Sequence, residues 1–80
     1  MWNNQENNIS TRFKLLVYYY PTEPRESQTF WAFKSDEKKT DPLNGLRTRI
    51  LKKHAENRYK LAIFYDNGVE VERWECGFRK

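Results

Sequence analysis

Apolar and polar positions alternate along residues 11–20. Phe13, Leu15, Val17 and Tyr19 fall on one side, and Lys14, Leu16, Tyr18 and Tyr20 on the other. A period of two predicts a β-strand. Neither set is clearly polar, so the strand is expected in the middle of a sheet, covered at least partly on both sides. Pro21 ends it, because proline has no amide hydrogen to give to a ladder. A second strand is predicted over 28–35, with Phe30 and Ala32 opposing Trp31 and Phe33. The loop between them, 21–27, holds Pro21, Pro24 and mixed charge. It joins two strands expected to pair antiparallel, and it is longer than a tight hairpin needs, which leaves room for contacts of its own.

The period changes after the charged connection 35–40, which reads as a solvated loop. Over 41–58, Leu43, Leu46, Ile50 and His54 recur at steps of three and four. That spacing predicts a helix with one apolar face. Asp41 is placed to cap its start, and Pro42 suits the first helical position, where its missing N–H costs nothing. Lys52, Lys53 and Arg58 complement the negative end of the helix dipole. Asn57 is placed to close the helix in a left-handed conformation. Gly45 costs about 1 kcal/mol relative to Ala inside a helix, so it either weakens this one or marks a close contact. Arg47 falls inside the apolar arc, where its stem packs on the sheet while its head reaches water or a carboxylate. Arg49, Lys52 and Glu56 take the opposite, exposed face.

Two further strands follow, 59–65 and 69–76, around Asp66-Asn67-Gly68. A two-residue turn would pair Tyr65 with Glu70 and Ile63 with Glu72; a three-residue turn with a left-handed Gly68 would pair Tyr65 with Val69 and Ile63 with Val71. The second collects Leu61, Ile63, Tyr65, Val69 and Val71 on one face and leaves Glu70 and Glu72 with Lys60 on the other. Hydrophobic pattern sets register, so the three-residue turn is the one expected.

The elements sum to an α+β fold: an antiparallel four-stranded sheet with one helix packed on one face, in the order β-β-α-β-β. A flexible N-terminal segment, 1–10, precedes a single domain, 11–80. That segment is rich in Asn and lacks an apolar run, so it reads as neither a secretion signal nor a membrane anchor. The first two strands are apolar on both sides, so the pattern does not choose the face that the helix covers. The other face must meet solvent, a partner or a second copy.

Aromatic residues make up 16% of the 80 residues, including Trp2, Trp31 and Trp74, more than one helix and four short strands can hide. The formal charge is +4 with a pI near 9.3, which favours acidic partners and argues against small proteins that mimic DNA with acidic surfaces. Cys76 is the single cysteine, which fits a reducing cytoplasm. No apolar run reaches membrane-spanning length.

No catalytic signature emerges, and no cofactor or metal is expected. His54 on an apolar helix face reads as a packed side chain. A pairing of His54 with Cys76 lacks the local signatures of thiol enzymes. The glycines are too isolated for a phosphate loop, and the ligand clusters of a zinc site are missing. Glu70, Glu72 and Glu75 read as partners for Lys60 and other basic residues across strands.

Nucleic-acid binding is the sharper expectation. Lys14, Tyr18, Tyr20, Trp31 and Phe33 could line an open sheet face, where aromatic rings stack on unpaired bases and cations meet phosphates. Arg47, Arg49, Lys52 and Lys53 form a second candidate surface on the helix, suited to a duplex backbone. The alternative is a protein-interaction module, a homodimer or adaptor using the open face, because aromatics are also enriched at protein interfaces.

Overall fold

A computed structural model describes residues 8–55 and 58–75, and the backbone of 78–79. Five strands form one antiparallel sheet: β1 (Ile9–Tyr19), β2 (Ser27–Phe33), β3 (Tyr59–Asp66), β4 (Val69–Glu75) and the two-residue β5 (Phe78–Arg79). Their spatial order is β2-β1-β3-β4-β5. The helical segment, α1, lies between β2 and β3 in sequence; it begins as an α-helical turn, Asn44–Leu46, and continues as a π-helix, Arg47–His54. The fold is therefore the expected α+β arrangement, with β1 an interior strand between β2 and β3 and a short extra edge strand.

The helix covers the face carrying Phe13, Leu15, Val17 and Tyr19 of β1. These join Ala32, Leu43, Leu46, Ile50, Leu51, Ala55, Tyr59, Ala62 and Phe64 in one core, against which Phe30 and Trp74 are partly buried. In the register, Leu15 sits between Phe30 and Phe64, and Val17 between Gln28 and Ala62.

β1 starts at Ile9, two residues before the expected strand. Its register against β2 slips between Ile9 and Lys14. Ser10, fully buried there, accepts hydrogen bonds from the Arg12 and Phe13 amides and donates to Glu37. Glu37 belongs to a 3-10 turn, Lys34–Lys38, so the segment expected as a solvated loop is docked. Its Asp36 is buried and accepts from the Phe33 amide at 3.1 Å, with Lys39 at 3.0 Å. Gly45 packs against that carboxylate; a Cβ there would stand 3.2 Å from Asp36 Oδ2. The glycine thus marks a close contact.

α1 departs from the expected helix in start and pitch. Leu43, not Asp41, is the capping residue, and Asp41 and Pro42 lie in the turn before it. The Ala55 amide reaches back five residues to the Ile50 carbonyl at 2.7 Å. A wider turn sets residues five apart on one face, so Leu46 with Leu51 and Ile50 with Ala55 are all buried. His54, expected on the apolar face, is exposed, with its ring edge-on to Phe30 at 5.4 Å between centroids. Glu56, Asn57 and Cys76 lie outside the described residues, so the expected helix closure and the His54–Cys76 pairing do too.

The β3–β4 hairpin overturns the three-residue turn. Asp66 pairs with Val69 and Tyr65 with Glu70 around a two-residue turn, with Asn67 at φ 53° and Gly68 at φ 84°. Two successive left-handed residues suit the right-handed twist of the flanking strands. A bulge between Phe64 and Tyr65 then shifts the register, setting Phe64 opposite Glu72 and Ile63 opposite Arg73. Glu70 and Glu72 consequently fall on different faces, and Val69 and Val71 are left exposed at 64% and 52%. Buried charge wins over apolar pattern because Glu72 gains Arg47, at 2.6 Å and 2.7 Å, and Trp74 Nε1, at 2.7 Å.

Candidate functional site

The face away from α1 carries Lys14, Leu16 and Tyr18 on β1, opposite Trp31, Thr29 and Ser27 on β2 and Tyr65, Ile63 and Leu61 on β3. Lys14 stands between two rings: its Nζ lies 5.6 Å from the Trp31 centroid and 5.2 Å from that of Tyr65. This spacing follows from the register, which places both aromatics directly beside Lys14, one on each neighbouring strand. Trp31 is 40% exposed and Phe33 42%.

Arg49 joins this surface from the helix. Its guanidinium lies 4.3 Å from the Phe33 ring centroid, and Nη2 donates to the Trp31 carbonyl at 3.2 Å. The bond falls on the sheet's edge strand. Together with the Phe33 amide held by Asp36, it occupies backbone groups that an edge strand could offer to another chain.

Tyr18 and Tyr20 line an open cleft of about 510 Å³ at the far end of the same strand, with Pro21, Pro24, Arg25 and Lys60 among its walls. The loop that closes it is fixed to β1 by Tyr19 N to Glu26 O and to the residue after β1 by Glu23 N to Tyr20 O, each 2.9 Å. The structure therefore brings Lys14, Trp31 and Phe33 together with Arg49 at one end of β1, and Tyr18 and Tyr20 to the other end.

It does not unite the helix set. Arg47 is half-buried and bound to Glu72 and to Asp41, each at 2.6 Å, with Phe64 beneath its guanidinium at 5.8 Å. Hydrogen bonding to Glu72 is the main cause of a pKa held above its ordinary value. Arg47 is a structural cation and leaves the expected duplex-binding surface. Lys52 and Lys53 are exposed at the end of α1.

The β4 side of the open face is neutralised internally. Arg73 bonds Glu70 at 2.9 Å and stands 3.9 Å from Glu75. That hydrogen bond lowers the Glu70 pKa and raises that of Arg73. The arginine partners of Glu70, Glu72 and Glu75 are among the basic residues expected to pair with these carboxylates. Among the described residues no group of three His, Cys, Asp or Glu could hold a metal ion, and no helix is long and apolar enough to cross a membrane.

Sequence reasoning missed Tyr65, Lys60 and Arg25. Tyr65 reaches Lys14 through a β1–β3 pairing between residues 51 apart, which no local pattern encodes. Arg25 had a signal in the length of its loop.

No family model, curated protein or solved structure matches this chain.

Proposed function

We propose that this chain is a non-catalytic binding domain of the cytoplasm that takes single-stranded nucleic acid across the β1–β2 half of its uncovered sheet face. The observation that carries the reading is Lys14 set between the Trp31 and Tyr65 rings on an exposed face. Rings on an open sheet stack on unpaired bases at about 1–3 kcal/mol per base, and cations beside them answer the phosphates. Arg49 and Phe33 extend the surface toward the helix, and Tyr18 and Tyr20 extend it toward the loop cleft. The path avoids β4, where Arg73 is already engaged by Glu70 and Glu75.

Tryptophan fluorescence tests this reading, with short single-stranded and duplex oligonucleotides at about 50 and 200 mM salt. Saturable quenching by single strands, weaker at the higher salt and lost with Trp31→Ala, is the expected result. No binding at low salt and micromolar protein would overturn it. One observation favours a second reading: the same face exposes apolar rings beside internally paired charges, which is also how a protein interface is composed. A homodimer or adaptor surface of that kind would show a larger particle mass whose stability changes little with salt.

A further inference from the structure

On the helix side of the 21–26 loop, across from the tyrosine-lined cleft, lies a smaller cavity of about 190 Å³. Arg25, Arg58, His54, Tyr19, Gln28, Glu23 and Pro24 line it. Three of these can be cations, and they come from three parts of the chain: the loop, the end of α1 and the residue before β3. Their meeting is built into the backbone. Tyr20 N donates to Arg58 O at 3.1 Å, which ties the start of β3 to the end of β1. Pro24 fixes one φ of the wall, and the loop's two hydrogen bonds, to Tyr19 and Tyr20, hold the rest.

The charges there are incompletely used. Arg58 faces Glu23 at 4.0 Å, well beyond the 2.7–2.9 Å typical of a direct charge-assisted bond. Among the described residues Arg25 makes no ion pair. Each guanidinium has five N–H donors. Tyr19 is buried at the floor, its hydroxyl donating to Gln28 at 3.3 Å. Burial pushes its pKa up, and the nearby charges of Arg58 and Arg25 oppose that shift, which puts both guanidiniums within electrostatic reach of one point. Among the described residues that line the cavity, Glu23 alone is negative.

We infer that this cavity is a phosphate-binding site, with the Arg25 and Arg58 guanidiniums and the His54 ring gripping the oxygens. Two arginine forks with a third polar ring suit a compact dianion better than a single carboxylate, which one fork already satisfies. The cavity shares Tyr19, Glu23, Pro24 and Arg25 with the tyrosine-lined cleft, whereas His54 and Arg58 line the cavity and not the cleft; phosphate binding here does not require stacking on the Trp31 and Tyr65 rings. The same chemistry is offered by free phosphate and by the terminal phosphate of a nucleotide.

The test uses the full chain and amide chemical shifts at fixed ionic strength. Inorganic phosphate, a 5′-phosphorylated dinucleotide, acetate and chloride are titrated in turn. Saturable shifts confined to residues around Tyr19, Glu23, Arg25, His54 and Arg58 are expected with phosphate. Loss of two charge-assisted contacts in Arg25→Gln/Arg58→Gln weakens binding by about tenfold or more. Both side chains are exposed, and the single Arg25→Gln variant, with about half that effect in free energy, serves if the double variant does not fold. Tighter binding of the dinucleotide supports the site and points to a nucleotide end; equal binding supports it and points to free phosphate. Shifts reproduced by acetate or chloride, or unchanged in a folded variant, would overturn it.

Discussion

Arg47 and Glu72 show what a single buried pair can decide. Both lie on the helix side of the sheet, and Asp41 and Trp74 bond to the same pair. Removing the guanidinium leaves a buried carboxylate without its main counter-charge, so Arg47→Ala should cost about 3–5 kcal/mol in urea unfolding. The joint replacement Arg47→Met/Glu72→Met should cost clearly less, because no buried charge is then left alone. A double variant as unstable as the single one would show that packing, and not charge, makes the link. Gly45 makes a similar point with space. Alanine there would gain about 1 kcal/mol of helix propensity, but its Cβ would press on an Asp36 carboxylate held by Phe33 and Lys39. Gly45→Ala is therefore expected to lower the melting temperature; a rise would mean that Asp36 gives way. Burial pushes the Asp36 pKa up, yet the Lys39 and Phe33 hydrogen bonds and the Lys39 and Arg49 charges outweigh it, and the net shift is downward. A carboxyl with a depressed folded pKa stabilises the fold above its unfolded value of about 3.9. That stability is lost as pH falls through the folded value. Asp36→Asn should accordingly flatten the fall in stability below about pH 4, measured by urea unfolding at several pH values.

At the scale of elements, four of the five strands and their antiparallel pairing were legible because alternation, prolines and Asn67-Gly68 are local signals; the two-residue β5 was not foreseen. The helix was legible as an element, but its pitch was not. A wider turn exchanges His54 for Ala55 on the buried face, whereas steps of three and four from Ile50 lead to His54. The β3–β4 register was misjudged for another reason: the apolar pattern favoured burying Val69 and Val71, while the partner that draws Glu72 inward, Arg47, is 25 residues away. The turn itself requires left-handed backbone at Gly68. Gly68→Ala should cost about 1–2 kcal/mol and leave the Tyr65–Glu70 cross-strand contact in place by nuclear Overhauser spectroscopy. A Tyr65–Val69 contact in the parent chain would instead restore the three-residue turn. The candidate site was half legible. Alternation put Lys14, Tyr18, Tyr20, Trp31 and Phe33 on one face, whereas the contribution of Tyr65 depends on sheet order and that of Arg49 on the helix's orientation over the edge strand.

For the molecule as a whole, the arrangement divides labour between two sides. The helix side holds the core and the buried ion pair. The other side holds Lys14 between its two rings, with Trp31 and Phe33 exposed, and charge that is self-compensated toward β4. Lys14→Gln should reduce the salt dependence of single-strand binding by about 0.7 in the log–log slope while leaving unfolding nearly unchanged. The most direct measurement is the footprint of a short single-stranded oligonucleotide on the amide and aromatic side-chain resonances of the full chain. The account predicts saturable shifts centred on Lys14, Tyr18, Trp31, Phe33 and Tyr65, with Glu70, Arg73 and the Arg47–Glu72 pair unmoved. A footprint centred on Lys52 and Lys53, or no footprint at low salt, would contradict it.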